Sequence, residues 1–496
     1  MLKNKKLYLL TAVALVLCMI ATGCRGNVSN ETDTETLYLF NSKGENAEQF
    51  KKMCDDFTKE TGIPTSPFTV GSGQDALEPL RTQMNSKNPP AIFSMQGLKE
   101  LPEWLESGRV LDLSTVENQE LKAIADSIPL EMRLTPDGKT NYGIPFNVEG
   151  YGYMVDKRML EALFGKDNAE EVYEDLKECS YKEFVAFSDA VTEYIASPSA
   201  KTVILDGDAY TFSATKQGLA EKLNGVFAFA GAEKWTYGDH LINVALNAVF
   251  PDARSAENAT SKEIDELKKP LLAYAEALDY VSNHSAGLKG ATKRGRDLIS
   301  QANFGYDQSI QMYADSNALF LQQGNWAYAN ISKINKEVAA NSVFVPVKLP
   351  LTDDMIKTGK TAEEINSSIP VYVPNYYAIN AKASDTAKKH AMEFLVWMQK
   401  PENVQKYVID SFEAIPFNAD DDMKINNSLS VSILDYLDDG EVLSAPYHGA
   451  PNTWSSEVVG KELMEKYITK EIWTNEDYDA ISNFAISKWK EMKDLK

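Results

Sequence analysis

The sequence predicts an α/β protein with mostly parallel sheets and more than one lobe. Apolar strand-like runs alternate with amphipathic helices from Leu37 onward, and strands that are joined through helices pair in parallel because such crossovers are right-handed. The chain has 496 residues, which is too long for a single core. Its hydrophobic fraction of 44% and aromatic fraction of 10% are those of a packed globular protein.

The first 23 residues have the pattern of an export signal. Lysines precede an apolar run over 7–20, which is shorter than the about 20 residues of a comfortable transmembrane helix. Small residues then lead to Cys24, and the stretch 20–24 resembles the lipobox of bacterial lipoproteins. The resemblance implies cleavage before Cys24 and attachment of lipid to its thiol, whose thiolate form is nucleophilic. The alternative is an ordinary secretory signal with a chance cysteine.

The polar segment 24–35 is predicted to be a tether between this anchor and the folded part. It has no apolar run. We therefore expect the folded part at the extracytoplasmic face of the cell membrane, held there by lipid. The net charge of −22 argues against nucleic acid and against an anionic lipid surface as partners. Cys54 and Cys179 remain in the folded part, where two buried free thiols are favoured over a disulfide.

Strands that alternate with helices open the folded part. The strands are predicted over 37–40, 68–70 and 91–93, and the helices over 46–60, 76–86 and 98–107. In parallel sheets ligands bind beyond the carboxyl ends of the strands. Polar residues at those ends are therefore candidate ligand contacts, although any of them could instead cap a helix. These candidates are Asn41, Ser42, Gln74, Asp75 and Gln96.

The rest of the folded part is mostly helical in pattern. The segment 155–310 is predicted to be helical apart from two aromatic loops. A buried strand is predicted over 318–321 and a second over 376–379, and a helix over 386–399 follows the second.

Four blocks stand out in order along the chain. The first is the strand, loop and helix that end at 61–63. The second runs over 142–159 and contains Gly-Ile-Pro at 143–145, and the third contains Gly-Asn-Trp-Ala at 324–327. The fourth joins 378–397 to Ala-Ile-Pro-Phe at 414–417. Together they resemble the extracellular solute-binding proteins of bacterial ABC importers, in the carbohydrate-binding branch that includes maltose-binding protein. One departure is the Asn-Pro-Pro run at 88–90, where many relatives have Pro-Asp.

The resemblance implies two α/β lobes that are joined by hinge strands and close on a ligand in the cleft between them. One lobe would hold 36–146 and 317–369, and the other would hold 147–316 and 370–496. The Gly-Ile-Pro-Phe-Asn run at 143–147 would be the first crossing, and only a few crossing residues need to change their dihedral angles for closure. The resemblance also implies an ABC permease in the membrane as partner. We expect a monomer without a cofactor.

A sugar presents hydroxyl edges and apolar C–H faces, so its site needs flat aromatic rings and hydrogen-bonding side chains. The resemblance implies this role for Trp326 and Trp454, which are similar in position to aromatic residues of relatives, and for the carboxylate of Glu149. Tyr210 and Trp235 are further candidates because they lie in the two aromatic loops. The alternative is a core position for each aromatic residue and a role within the hinge for Glu149.

Sequence motifs of catalysis and of metal binding are absent. The chain contains no His-Glu-x-x-His, Gly-x-Ser-x-Gly, P-loop or Cys-x-x-Cys pattern, and its four histidines are far apart. Asp420–Asp422 and Asp438–Asp439 are expected to be solvated turns, with a Ca²⁺ site as the alternative. We therefore predict a lipid-anchored protein that captures a mono- or oligosaccharide for an ABC importer. The alternatives are a cell-surface glycoside hydrolase or lyase, and a binding protein or sensor subunit for another polar solute.

Overall fold

Two mixed β-sheets organise the folded part of the chain. The computed structural model describes residues 35–72, 74–287, 294–419 and 423–495, and the unit that folds together begins at Thr36. The strands are β1 (Leu37–Asn41), β2 (Thr65–Thr69), β3 (Ile92–Met95), β4 (Ile144–Pro145), β5 (Glu149–Asp156), β6 (Thr202–Leu205), β7 (Asp208–Thr211), β8 (Gly225–Phe227), β9 (Ala318–Gly324), β10 (Ser342–Val345), β11 (Ile369–Tyr372), β12 (Tyr376–Ile379) and β13 (Val442–Leu443).

Helices surround both sheets. The α-helices are Ala47–Thr61, Leu77–Met84, Gly97–Glu106, Gln119–Ser127, Lys157–Phe164, Ala169–Glu178, Tyr181–Ala196, Ile242–Leu246, Ala253–Glu257, Ser261–Glu266, Lys268–Asn283, Gln301–Phe304, Tyr306–Ala314, Tyr328–Ile334, Lys336–Asn341, Ala362–Asn366, Asp385–Met398, Pro401–Asn403, Ser428–Asp439 and Asn475–Met492. Four π-helical segments are Thr236–Leu241, Val404–Ile409, Trp454–Gly460 and Leu463–Ile468.

The first sheet has the strand order β2-β1-β3-β12-β4. β1 pairs in parallel with β2 and with β3, whereas β12 pairs antiparallel with β3 and with β4. The parallel half is the part of the chain in which helices alternate with strands, as the sequence predicts. β2 begins before the predicted strand and contains Pro67, which it tolerates because it is an edge strand.

An amphipathic helix shows how the first sheet acquires its core. Helix Ala47–Thr61 buries Phe50, Met53 and Phe57, which recur at spacings of three and four and therefore share one face. That face packs in the same apolar cluster as helix Asp385–Met398. The helix ends at Gly62, whose φ of 77° is the left-handed conformation that glycine adopts without steric cost.

The second sheet has the order β13-β11-β5-β9-β8, and β10 also pairs with β5. β5 is buried along its whole length because β9, β10 and β11 all pair with it. Both sheets are thus mixed rather than mostly parallel. The parallel pairs come from helical crossovers, and the antiparallel pairs come from strands that return from distant parts of the chain.

The chain passes between the two sheets at identifiable points. Residues 146–148 lead from β4 to β5, and residues 373–375 lead from β11 back to β12. A backbone hydrogen bond lies beside the first passage, where Val148 N donates to Ile415 O at 2.7 Å. The first passage continues the Gly-Ile-Pro-Phe-Asn run that the resemblance identifies as a crossing.

The sheet membership corrects the allocation of segments that the resemblance implies. The segment 317–369 is expected beside 36–146, but its strands β9 and β10 pair with β5 in the second sheet. The segment 370–496 is expected in the other lobe, but its strand β12 lies between β3 and β4 in the first sheet. Long-range backbone pairing decides this placement, and the order of blocks along the chain does not reveal it.

Cys54 and Cys179 are free and buried, which confirms the favoured prediction. Positions 1–34, which include Cys24, lie outside the described residues, as do Asp420–Asp422. Within the described ranges, no helix combines the length and the apolar character that a membrane crossing requires. In the same ranges, no group of three or more His, Cys, Asp or Glu side chains could hold a metal ion.

Candidate functional site

A cavity of about 140 Å³ lies beyond the carboxyl ends of β1 and β3 and faces the start of β5. Its volume is below the ~300–1,000 Å³ of many small-molecule sites. Elements of both sheets contribute to its wall, together with the second passage between the sheets. The lining residues are Ser42, Lys43, Glu45, Gln74, Asp75, Ala76, Gln96, Glu149, Trp235, Asp239, His240, Tyr306, Trp326, Tyr372, Pro374, Asn375 and Tyr447.

Most of the candidate residues from the sequence meet at this cavity. Those that line it are Ser42, Gln74, Asp75, Gln96, Glu149, Trp235 and Trp326. The strand-end residues come together because β1, β2 and β3 run in parallel, so that their carboxyl ends share one edge of the sheet.

Asn41 lies behind the cavity and does not line it. Its side chain is fully buried, and its Oδ1 accepts from Lys43 N at 3.2 Å while its Nδ2 donates to Lys43 O at 3.2 Å. Asn41 therefore shapes the turn after β1, and the expected ligand contact is corrected to a structural role.

Tyr210 and Trp454 are core residues, which corrects two predicted ligand contacts. Tyr210 lies on β7, where it packs against Phe164 and its hydroxyl donates to Asp175 at 2.6 Å. Trp454 is fully buried, with its ring centroid 4.6 Å from that of Trp489. Its indole N–H donates to a backbone carbonyl at 2.8 Å. The Pro-Gly-Asn-rich loop before Trp454 packs this ring inward against the last helix.

Aromatic rings form one side of the cavity. The ring of His240 stacks on Tyr151 at 4.2 Å and lies 5.2 Å from the ring of Trp326, measured between centroids. The indole N–H of Trp326 donates to Gln323 Oε1 at 3.1 Å, which holds the orientation of its ring. Burial and the charges of nearby lysines lower the pKa of His240 to about 3, so its ring is neutral at pH 7.

A buried ion pair lies on the floor of the cavity. Lys43 Nζ is 2.6 Å from Glu149 Oε1 and 3.8 Å from Glu45 Oε1. Asn147 Nδ2 also donates to Glu149, at 3.0 Å. Burial works to lower the pKa of Lys43, but the two carboxylates outweigh it and leave that pKa above its usual value. Glu149 and Lys43 therefore form a charged pair in which Glu149 is fixed.

A second buried ion pair joins helix Gly97–Glu106 to the π-helical segment Thr236–Leu241. Lys99, on helix Gly97–Glu106, places Nζ 3.5 Å from Asp239 Oδ1. The hydroxyl of Ser455 donates to the same Asp239 oxygen. Burial raises the pKa of Asp239, although Lys99 opposes that rise. The pair connects residues that are 140 positions apart in the sequence.

A larger cavity of about 500 Å³ adjoins the first one. The two cavities share Gln74, Asp75, Trp235 and Tyr306 as lining residues. The rings of Trp235 and Tyr306 have centroids 6.2 Å apart and stand at the boundary. Together the cavities make an elongated site with an aromatic pair at its middle.

The sequence did not reveal several residues of the site. These are Lys43, Glu45, Asp239, His240, Tyr306, Tyr372, Pro374, Asn375 and Tyr447. Lys43 and Glu45 lie in the loop that follows the predicted strand over 37–40. Ser42 is predicted because polar residues beyond the ends of parallel strands contact ligands, and a longer stretch of the same loop would have included both residues. Asp239 and His240 lie within a helical segment and carry no local signal.

The model of the family described as bacterial extracellular solute-binding protein matches residues 52–422. The chain belongs to this family. It is therefore a binding protein rather than an enzyme, as the missing catalytic motifs predict. No curated protein matches the chain.

Solved structures share the fold of this chain. RafE of Streptococcus pneumoniae is 18% identical, with a TM-score of 0.58 over 94% of this chain and 100% of that one. The GacH receptor of Streptomyces glaucescens is 11% identical, with a TM-score of 0.59 over 93% and 99%. A solute-binding protein of Thermotoga lettingae is 14% identical, with a TM-score of 0.57 over 92% and 98%. The likeness confirms the predicted two-lobed α/β fold.

Proposed function

We propose that this solute-binding protein captures a carbohydrate in the elongated site and delivers it to an ABC permease. The observation that carries the proposal is the combination of aromatic faces with hydrogen-bonding groups in one cavity. Trp326 and Trp235 offer surfaces for the C–H faces of a sugar, and the polar residues at the ends of β1 and β3 offer partners for its hydroxyls. Proteins of similar fold are described with raffinose, with acarbose and with α-D-tagatose.

The dimensions of the site favour an oligosaccharide. The cavity of about 140 Å³ is small, but the cavity of about 500 Å³ adjoins it at Trp235 and Tyr306, which line both. One sugar ring in the inner cavity would therefore leave room for further rings in the outer one. We take the ligand contacts to be the predicted residues that line the inner cavity, joined by Tyr306, Tyr372 and Tyr447.

We also propose the lobes that close on the ligand. One lobe is built around β1 to β4 and β12, and the other around β5, β8 to β11 and β13, with hinges at 146–148 and 373–375. Closure is then a shift of population toward the state in which both lobes contact the sugar. The two buried ion pairs, Lys43 with Glu149 and Lys99 with Asp239, join the lobes in the closed state.

A thermal-shift screen of the fragment 36–496 against a glycan panel tests the function. A sugar at 100 times its dissociation constant should stabilise the fold by about 2.7 kcal/mol. The same incubations should return every glycan unchanged, because the protein binds and does not cleave. A panel without any stabilising glycan, or a glycan that is cleaved in proportion to the purified protein, would contradict the proposal.

The lipid anchor at Cys24 is proposed from the sequence pattern and is tested separately. Cys24→Ala should yield a protein that is not lipidated and that is either unprocessed or released from the cell. Mass spectrometry of the mature N-terminus and fractionation of the cells provide the measurements. A processed variant that stays with the membrane would contradict the anchor and would leave the proposed ligand unaffected.

A further inference from the structure

The elongated site holds many more negative than positive side chains. Among the described residues, six carboxylates but two ammonium groups line its two cavities: those of Glu45, Asp75, Glu149, Glu233, Asp239 and Asp307, and those of Lys43 and Lys234. No arginine among the described residues lines either cavity. The neutral ring of His240 adds no positive charge at pH 7. The site therefore carries a surplus of negative charge.

The lysines of the site are already committed to particular carboxylates. Lys43 is closest to Glu149, at 2.6 Å, and Lys234 pairs at 2.8 Å with Glu457, which lines neither cavity. Behind the wall, Lys99 faces Asp239. Of the lining carboxylates, Glu45 in the inner cavity has Lys43 only at the longer distance of 3.8 Å, and Asp75, which lines both cavities, has no ion-pair partner within 4 Å among the described residues.

Glu45 and Asp75 differ in how they are held. Glu45 has side-chain exposure of 11% and shares Lys43 at the longer distance of 3.8 Å. Burial raises the pKa of Glu45, which means that its negative charge is poorly solvated where it lies. Asp75 Oδ1 accepts from Leu77 N at 2.9 Å just before helix Leu77–Met84, and its Oδ2 accepts no hydrogen bond from the described residues, so it is available to a ligand.

The aromatic pair at the boundary suits a cation. Trp235 and Tyr306 line both cavities with Asp75, and their rings are inclined at 40° with centroids 6.2 Å apart. A cation within ~6 Å of such rings is attracted by their quadrupoles. A carboxylate on one side and aromatic faces on the other is an arrangement that stabilises a ligand ammonium more than a ligand hydroxyl.

We propose, on the basis of the carbohydrate function above, that the natural ligand is an amino sugar whose protonated amine lies between Glu45, Asp75 and the aromatic pair of Trp235 and Tyr306. The same surplus of carboxylates disfavours uronic acids and sugar phosphates, because their negative charges would meet like charges in the cavity. Selection of the ligand is thus set by charge as well as by shape.

Calorimetric titration of the fragment 36–496 tests the inference at a pH of about 6, where the amine is protonated. The probes are the 2-amino, 2-hydroxy and 2-acetamido forms of glucose, galactose and mannose, as monosaccharides and as disaccharides. We expect the amino form of at least one sugar to bind at least ten-fold more tightly than its 2-hydroxy and 2-acetamido forms. Ethanolamine is included as an ammonium compound without a sugar ring.

The other outcomes distinguish failure of the amino-sugar inference from failure of the carbohydrate function. Neutral forms that bind as tightly as the amino forms would overturn the amino-sugar inference and leave the carbohydrate function standing. Ethanolamine that binds as tightly as the amino sugars would overturn the carbohydrate function. If no amino sugar binds, the inference is wrong.

One variant and a matched control test where the amine of the ligand lies. Glu45→Gln removes one negative charge without changing the shape of the side chain, and it should reduce the preference for the amino form about ten-fold. Glu48→Gln makes the same change at an exposed position on the following helix and should leave the preference unchanged. Equal effects of both variants would show that only the overall charge of the protein matters, and they would overturn the proposed position of the amine.

Discussion

Trp326 is the residue whose indole ring is best placed to stack on a sugar. The ring is only partly buried, lies 5.8 Å from Lys43 Nζ and is oriented by its bond to Gln323. The contrast with Trp454 is instructive, because the sequence suggested the same role for both. A ring that keeps one face open beside hydrogen-bonding groups can recognise a ligand, whereas a ring packed on all sides can only stabilise the fold.

Replacing Trp326 should separate these two roles. Trp326→Ala should weaken sugar binding roughly ten- to a hundred-fold, because a buried aromatic contact contributes about 1–3 kcal/mol. Trp454→Ala, the matched control, should instead lower the free energy of unfolding by about 3–5 kcal/mol. Affinity and melting temperature are measured for both variants. A stably folded Trp326→Ala that keeps its affinity would remove Trp326 from the site.

Gly324 supports the Trp326 ring from behind. A Cβ atom at this position would lie 2.0 Å from Trp326 Cζ3, so that the ring could not keep its place. Gly324→Ala should therefore weaken sugar binding by a factor similar to that of Trp326→Ala. Gly295→Ala is the control, because a Cβ atom at Gly295 would have no described atom beyond its chain neighbours within 4 Å. Unchanged affinity in Gly324→Ala would mean that the position of the indole ring does not matter for binding.

Helix Gly97–Glu106 places two ionisable side chains in the interior of the protein. Its Lys99 and Glu100 are both buried, and Lys99 reaches Asp239 while Glu100 accepts from Gln96 N at 3.0 Å. Glu100 thus closes the first turn of the helix from within. The arrangement holds the loop after β3, including Gln96, against the cavity.

The buried Glu100 should make stability depend on pH. Burial raises the pKa of Glu100 from 4.5 to about 7, so the folded state holds this proton more tightly than the unfolded state. The resulting stability is present below the unfolded pKa and is lost as the pH rises toward 7. The free energy of unfolding of Glu100→Gln, relative to that of wild type, should therefore rise by about 3 kcal/mol between pH 4 and pH 8. Urea denaturation of both proteins at both pH values measures this free energy. The same difference between variant and wild type at pH 4 and at pH 8 would contradict the prediction.

Parallel strands explain why part of the site could be predicted. Ser42, Gln74 and Gln96 follow strands whose carboxyl ends share one edge, and periodicity alone locates those ends. Asp239 and His240 enter the site from a π-helical segment in the helical middle of the chain, where no local pattern distinguishes them. The pairing of β9 with β5 escaped prediction for a similar reason, because β5 lies more than 150 residues earlier in the chain.

At the scale of the whole molecule, contacts between residues that are distant in sequence join the elements around the two sheets. Lys99 and Asp239 belong to elements that flank different sheets, and their charged groups lie 3.5 Å apart behind the wall of the cavity. A pair of this kind stabilises the protein only while both partners are present, since one buried charge left alone costs about 3–5 kcal/mol. In the closure proposed above, the pair would therefore couple the separation of the lobes to the charges of Lys99 and Asp239.

Removing one partner should open the protein. Lys99→Met leaves Asp239 without its cation, so the variant should favour separated lobes in which Asp239 is solvated. Its radius of gyration from X-ray scattering should exceed the about 23 Å that is expected for a compact chain of this length. Lys122→Met, at a surface ion pair on a neighbouring helix, is the control. Identical radii for Lys99→Met and wild type would contradict a role of this pair in closure.

The burial of both thiols has a practical consequence. Cys54 and Cys179 are free and buried, so neither thiol of the folded fragment 36–496 is accessible to a thiol-labelling reagent. A single cysteine introduced at the rim of the cavity would then be the only group that a maleimide dye modifies. With the proposed closure of the lobes on ligand, the emission of such a dye would report sugar concentration directly, and the protein would serve as a reagentless optical sensor.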